Sequence, residues 1–110
     1  MIKVNKDDKK IVDKYITFPF VIENMENDLK FFKGLKMGLR IIEELNLESV
    51  LQKIKGDYYL LKNLMRVKHG LDVRKISTLQ YVVNGVKTKY TSKEVKNMTE
   101  QLMMEYINKK

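Results

Sequence analysis

The segment Val83-Asn84-Gly85-Val86 constrains this chain more than any other. Asn-Gly tolerates the positive φ that both central residues of a two-residue hairpin loop require, so the chain is expected to double back there as two antiparallel strands. The turn also sets the register. Val83 falls opposite Val86, Tyr81 opposite Thr88 and Leu79 opposite Tyr90, giving one mostly apolar face. The other face pairs Val82 with Lys87 and Gln80 with Lys89 and is basic and solvated. The hairpin follows a change of period at Gly70, from helical repeat to alternation.

Upstream of Gly70 the apolar spacing is that of helices. From Ile22, residues Met25, Leu29, Phe32, Leu39 and Ile42 recur at three-to-four spacing and predict a helix to about Leu45, with Gly34 and Gly38 as points where it can kink. Asn46 or Ser49 is placed to cap a short second helix carrying Val50, Leu51 and Ile54, which Gly56 is expected to stop. Asp57 begins a third helix running to about His69, with Gly70 as its C-terminal stop. Residues 1–20 are read as an N-terminal arm. Ile11, Val12, Tyr15 and Ile16 have helical spacing behind Asp7 and Asp8, while Tyr15 to Val21 fits an extended segment around Pro19 equally well. After the hairpin, Thr91 and Glu94 form a capping box. The last helix carries Val95, Met98, Leu102 and Tyr106 as its main stripe, widened by Met103, Met104 and Ile107.

These 110 residues, 44% hydrophobic and 33% charged, suit one domain with a real core and not a disordered tail. The division expected is an arm over 1–20 and a folded domain over 21–110. No apolar run approaches eighteen residues and the first ten residues are charged, so the expected setting is the cytoplasm, without membrane insertion. The chain lacks cysteine and has a single histidine, which removes disulfides, thiolate metal sites and cysteine nucleophiles, and makes a His-rich metal site impossible. No metal or cofactor is expected.

The net charge of +8 is unevenly placed. Residues 1–50 hold nine basic and nine acidic groups, whereas residues 51–96 hold eleven and three, and the rest balance. A one-sided basic region is the electrostatic footprint of a polyanion binder, since neutralising phosphates releases counterions. Nineteen of the 22 cations are Lys and alanine is absent, which AT-rich coding would also produce. Such a bias leaves the clustering unexplained.

The order long helix, short helix, Gly turn, helix, hairpin, C-terminal helix resembles the winged helix-turn-helix family. The resemblance runs over about residues 46–108 and is clearest from Leu64 to Tyr90. Leu64-Met65-Arg66-Val67-Lys68-His69-Gly70-Leu71-Asp72-Val73-Arg74 looks like that family's helix end, glycine stop and first wing strand. Asn84-Gly85 resembles the wing tip, and Lys89-Tyr90-Thr91-Ser92 is similar to the entry into the helix after the wing. The fold implied is mainly α with a β-hairpin (α+β), helices followed by a two-stranded wing and a C-terminal helix. The function implied is binding of double-stranded DNA.

On a helical wheel Tyr59, Lys62, Asn63, Arg66 and His69 share about 120° of arc, with Leu60, Leu61, Leu64, Met65 and Val67 on the rest. Arg66 suits guanine, Asn63 adenine, and Lys62 or Tyr59 phosphate. Lys87 and Lys89 on the hairpin, with Arg74 and Lys75 at its base, suit the backbone or adjacent minor groove. Lys53 and Lys55 would sit where the family's first motif helix crosses the backbone. Each cation has a plainer reading as a solvated surface group. Catalysis is not expected: Asp7-Asp8 and Glu43-Glu44 are solvated neighbours, Gly34 and Gly38 lack a following Gly-Lys-Ser/Thr, and His69 reads as a helix cap.

The reading is therefore a non-enzymatic, sequence-specific DNA-binding homodimer, joined through Ile2 to Phe20 and Ser92 to Ile107. Its role would be a regulator, or a marker of a plasmid or phage origin, centromere-like array or conjugative transfer site within a larger DNA-processing or partition complex. The alternative is a protein-interaction or assembly adaptor docking through its Met-rich last helix.

Overall fold

The N-terminal segment, open between helix and extended chain in the sequence, is helical in the computed structural model, which describes residues 6–34 and 47–107. Helix α1 spans Lys6–Lys33 and passes through Pro19. A proline inside a helix removes one hydrogen bond at a penalty of about 3 kcal/mol. Burial outweighs it: Val12, Ile16, Phe18, Val21, Met25 and Leu29 all face the core, while Pro19 itself is exposed. The stretch set apart as an arm is thus the first half of the central helix, and its Val12, Ile16 and Phe18 are core residues. The expected stripe positions Leu39 and Ile42, the kink at Gly38, the cap at Asn46, Glu43-Glu44 and Ile2 lie outside the described residues.

Helix α2 spans Leu47–Val67 without a break. The stop expected at Gly56 does not occur, and the expected short second helix and third helix are one element. Gly56 is not among the residues of positive φ, and the helix continues because both halves pack into the same molecule. Leu51 and Ile54 precede the glycine, Leu61 and Met65 follow it, and all face inward. That packing exceeds the roughly 1 kcal/mol by which glycine disfavours a helix interior. A Lys53–Asp57 ion pair of 3.8 Å spans the glycine. The stop does occur at Gly70, whose φ is +59° and which lies beyond carbonyls of Leu64 and Met65 capped by the amides of Lys68, His69 and Leu71.

Three strands follow in a meander: β1 Val73–Ser77, β2 Gln80–Val83 and β3 Val86–Lys89, in the order β1-β2-β3. The sheet therefore has three strands where a two-stranded wing was expected, because Val73–Ser77 pairs antiparallel with β2, its register shifting between Lys75 and Ser77. The hairpin register is the one the turn dictates, Val83 opposite Val86 and Tyr81 opposite Thr88, and the Tyr90 amide bonds the Leu79 carbonyl. Asn84 and Gly85 have φ of +50° and +83°. Helix α3, Ser92–Ile107, opens on the capping box, with Thr91 and Glu94 exchanging side-chain and backbone bonds of 3.1 Å.

Helix α1 is the spine. Its first half, the end of α2, the apolar face of the sheet and the start of α3 enclose one core around Val12, Met65, Leu71, Tyr81, Tyr90 and Val95. Its second half packs against the start of α2 and the middle of α3, around Val21, Met25, Ile54 and Leu102. Thus α2 runs antiparallel to α1 and α3 parallel to it. The fold is a small α+β domain, helices on one side of an antiparallel sheet, within an outline of 54 × 26 × 19 Å. Among the described residues no helix is long and apolar enough to cross a membrane.

Candidate nucleic-acid interface

The sheet has one covered and one open face. Tyr81 and Val83 of β2 point into the core, so their neighbours Gln80 and Val82 point away from it. Pairing extends that outer face across all three strands: Arg74, Val82 and Lys87 form one row, Ser77, Gln80 and Lys89 the next. Arg74, Lys87 and Lys89 are all exposed. Strand spacing sets the Arg74 and Lys87 backbones about 10 Å apart, and Lys89 lies about 7 Å along β3 from Lys87. Asp72 accepts one bond from Arg74 Nε at 3.1 Å, leaving most of the guanidinium's five N–H donors for other partners. Lys75 belongs to the opposite face, paired with Tyr81, and borders a small aromatic cleft beside Tyr15 and Tyr58. It is exposed, but it does not join the other three.

The hairpin is fixed to the end of α2. Asn84 Oδ1 accepts from the Asp72 amide at 2.7 Å, and the Asn84 amide donates to the Asp72 carbonyl at 2.8 Å. Among the described residues the buried Asn84 Nδ2 has no hydrogen-bond partner. His69 Nδ1 lies 3.1 Å from Asp8 Oδ1 and ties the same corner to the start of α1, so His69 leaves the set of reading residues. The joint that aims α2 relative to the sheet is therefore held at two points.

Helix α2 has three faces where the wheel drew two. Leu51, Ile54 and Met65 face the core. Tyr59, Lys62, Asn63 and Arg66 are exposed together on a polar face about 120° away. Leu60, Leu64 and Val67, which the wheel groups with Leu61 and Met65, lie on the remaining third and are 66%, 42% and 86% exposed. Helices α2 and α3 both pack on α1 and barely touch each other, so the core never reaches this face. No signal in a single helix's periodicity distinguishes a covered apolar face from an uncovered one.

Lys53 and Lys55 stand in mid-helix and not before a turn. Lys53 pairs with Asp57, and Lys55 Nζ lies 3.7 Å from Glu26 of α1. The structure thus brings together Arg74, Lys87 and Lys89 on the sheet, and Tyr59, Lys62, Asn63 and Arg66 on α2, while Lys53 and Lys75 point elsewhere and Lys55, one turn before Tyr59 on the same face, is drawn to Glu26. Val12, Ile16 and Phe18 of the expected dimer arm and Val95 and Leu102 of the last helix are core residues. Of that helix, Met104 and Ile107 remain 53% and 51% exposed.

Several tyrosines hold the scaffold. Burial, then Tyr15 beside it, pushes the Tyr58 phenol up to about 12. Burial first, and then a hydrogen bond donated to a carboxylate, raises Tyr90 against Asp13 and Tyr106 against Asp57. Among the described residues no group of three or more His, Cys, Asp or Glu side chains is placed to hold a metal ion.

Neither the curated proteins nor the solved structures contain a match to this sequence. The family model described as YhjD protein matches residues 3–110, nearly the whole chain, and the protein belongs to that YhjD family.

Proposed function

We propose that this protein binds double-stranded DNA, without catalysing a reaction, through the open face of its sheet together with the polar face of α2. The observation that carries the reading is the strand register that gathers Arg74, Lys87 and Lys89 on one exposed surface whose reverse is the core. Three cations held on one face of a paired sheet can neutralise phosphates together, and the major groove admits paired β-strands as well as a helix. In the finer reading, of winged helix-turn-helix type, β2 and β3 are the wing and α2 is the reading helix. Arg66 and Asn63 contact base edges, and Lys62 and Tyr59 hold phosphates. The protein acts in the cytoplasm, as a regulator or as the marker of an origin, centromere-like array or transfer site.

The test is fluorescence-anisotropy binding to the DNA flanking the gene and to a scrambled duplex, each at low and moderate salt. Tight, salt-sensitive binding with preference for the native duplex is expected. Loss of binding in Lys87→Ala/Lys89→Ala with retention in Lys62→Ala/Arg66→Ala assigns the reading to the sheet, and the reverse assigns it to α2. No binding at low salt overturns the proposal.

The exposure of Met104 and Ile107 on α3 favours a second reading, an assembly adaptor docking through that helix. Partner binding that ignores salt and is lost in Met104→Glu distinguishes it.

A further inference from the structure

The uncovered apolar face of α2 has the spacing of a helix-pairing seam. Lys53, Asp57, Leu60, Leu64 and Val67 follow one another at intervals of four, three, four and three, the repeat that keeps one side of a helix turned toward a neighbouring helix. Asp57 accepts a hydrogen bond from the Tyr106 hydroxyl of α3, but intramolecular packing leaves Leu60, Leu64 and Val67 exposed. Beside them runs a groove of about 490 Å³ between α2 and α3, floored by Phe18 and walled by Leu61 and Leu102. Asp57 and Glu105 stand on its rim. Isolated exposed leucines are ordinary, but three in line beside an apolar groove are the contiguous patch that marks an interaction surface.

The charges on the seam select its occupant. Asp57 lies at one end of the apolar run, and Lys68, on the same flank of the helix, lies just past the other. Parallel pairing with an identical helix would set Asp57 against Asp57 and Lys68 against Lys68. Antiparallel pairing that places Leu60 against Leu64 of the other copy brings Asp57 of each toward Lys68 of its partner. The seam is self-complementary under a two-fold axis, the condition for an isologous dimer. The second α2 would also overlie the groove, bringing its basic C-terminal turn, with Arg66 and Lys68, near Asp57 and Glu105.

We infer that the protein is a homodimer joined through antiparallel α2 helices along Leu60, Leu64 and Val67. This differs from a dimer through residues 2–20 and 92–107, whose main apolar groups are already in the core. It leaves the polar face of α2 and the outer face of the sheet open in both copies, and the two-fold would relate two nucleic-acid surfaces.

Sedimentation equilibrium of the full chain, without nucleic acid, tests the dimer independently of any DNA binding. Twice the 13.1 kDa chain mass is expected. Leu64→Lys and Val67→Lys change exposed residues, so helical circular dichroism should be retained while dimerisation weakens at least about tenfold. Because the chain has no cysteine, mixing Leu60→Cys and Leu64→Cys chains should give mainly the mixed disulfide-linked dimer under oxidation. A monomer at every concentration overturns the inference. So does a dimer indifferent to both lysine substitutions, which would place the contact elsewhere, or a preference for like-with-like cross-links, which would make the helices parallel.

Discussion

Gly56 and Gly70 carry the same side chain and opposite meanings. Gly70 has φ +59°, where a β-carbon is strained, whereas Gly56 is an ordinary helical residue whose added β-carbon would meet nothing within 4 Å. Gly56→Ala is therefore expected to raise stability by about 1 kcal/mol and Gly70→Ala to lower it by about as much, read as urea midpoints at unchanged m-value. A helix end at Gly56 would reverse the first sign. Tyr58 gives a pH prediction. Its phenol rises from 10.0 to about 12, so the folded state favours the neutral form. The stabilisation it brings is complete below pH 10 and is lost as pH climbs through about 12, with Tyr90 and Tyr106 acting in the same sense. The tyrosinate absorbance of these three partly or wholly buried phenols should appear together with loss of helical circular dichroism, and Tyr58→Phe should move the alkaline transition upward. Asn84-Gly85 and Thr91/Glu94 were legible because turn and cap are complete within four residues. Gly56 was not, since what overrides its propensity is contributed by α1 and α3.

At the scale of elements the least legible piece became the most central. Residues 1–20 contain the single proline and a charged start, features that locally suit an arm, yet Val12, Ile16 and Phe18 are shared between both cores. A chain beginning at residue 21 is expected to lack a cooperative urea transition. Large-to-small changes in a core cost about 2–5 kcal/mol each, and three such positions together reach the roughly 5–15 kcal/mol by which domains are stable. A sharp transition in the truncated chain would show that the segment is separable after all. The hairpin and last helix were readable because alternation and the capping box report on one element at a time. The third face of α2 was not, because whether Leu60, Leu64 and Val67 are covered depends on α2 and α3 packing on α1 and scarcely on each other. The sequence periodicity sees apolar residues but not the neighbour that fails to arrive.

For the whole molecule the question is which of its many cations face one ligand. Composition counted eleven basic groups between residues 51 and 96 as a single cluster, but the fold divides them. Lys53 and Lys55 are paired with Asp57 and Glu26 on the body of the helices, while Lys87 and Lys89 stand on the outer sheet face without a carboxylate across the strand. If DNA binding runs through that face, each phosphate contact contributes about 0.9 to the slope of log K against log salt. Lys87→Ala/Lys89→Ala should then flatten the slope by about 1.8 and weaken native and scrambled duplexes alike. Lys53→Ala/Lys55→Ala should leave the slope almost unchanged, although it removes the same net charge. Because the two double variants differ only in where the charge is lost, equal flattening in both would mean that the protein attracts DNA by total charge. A slope that falls only with the sheet lysines would locate the phosphates along the ribbon and leave the choice of sequence to the polar face of α2.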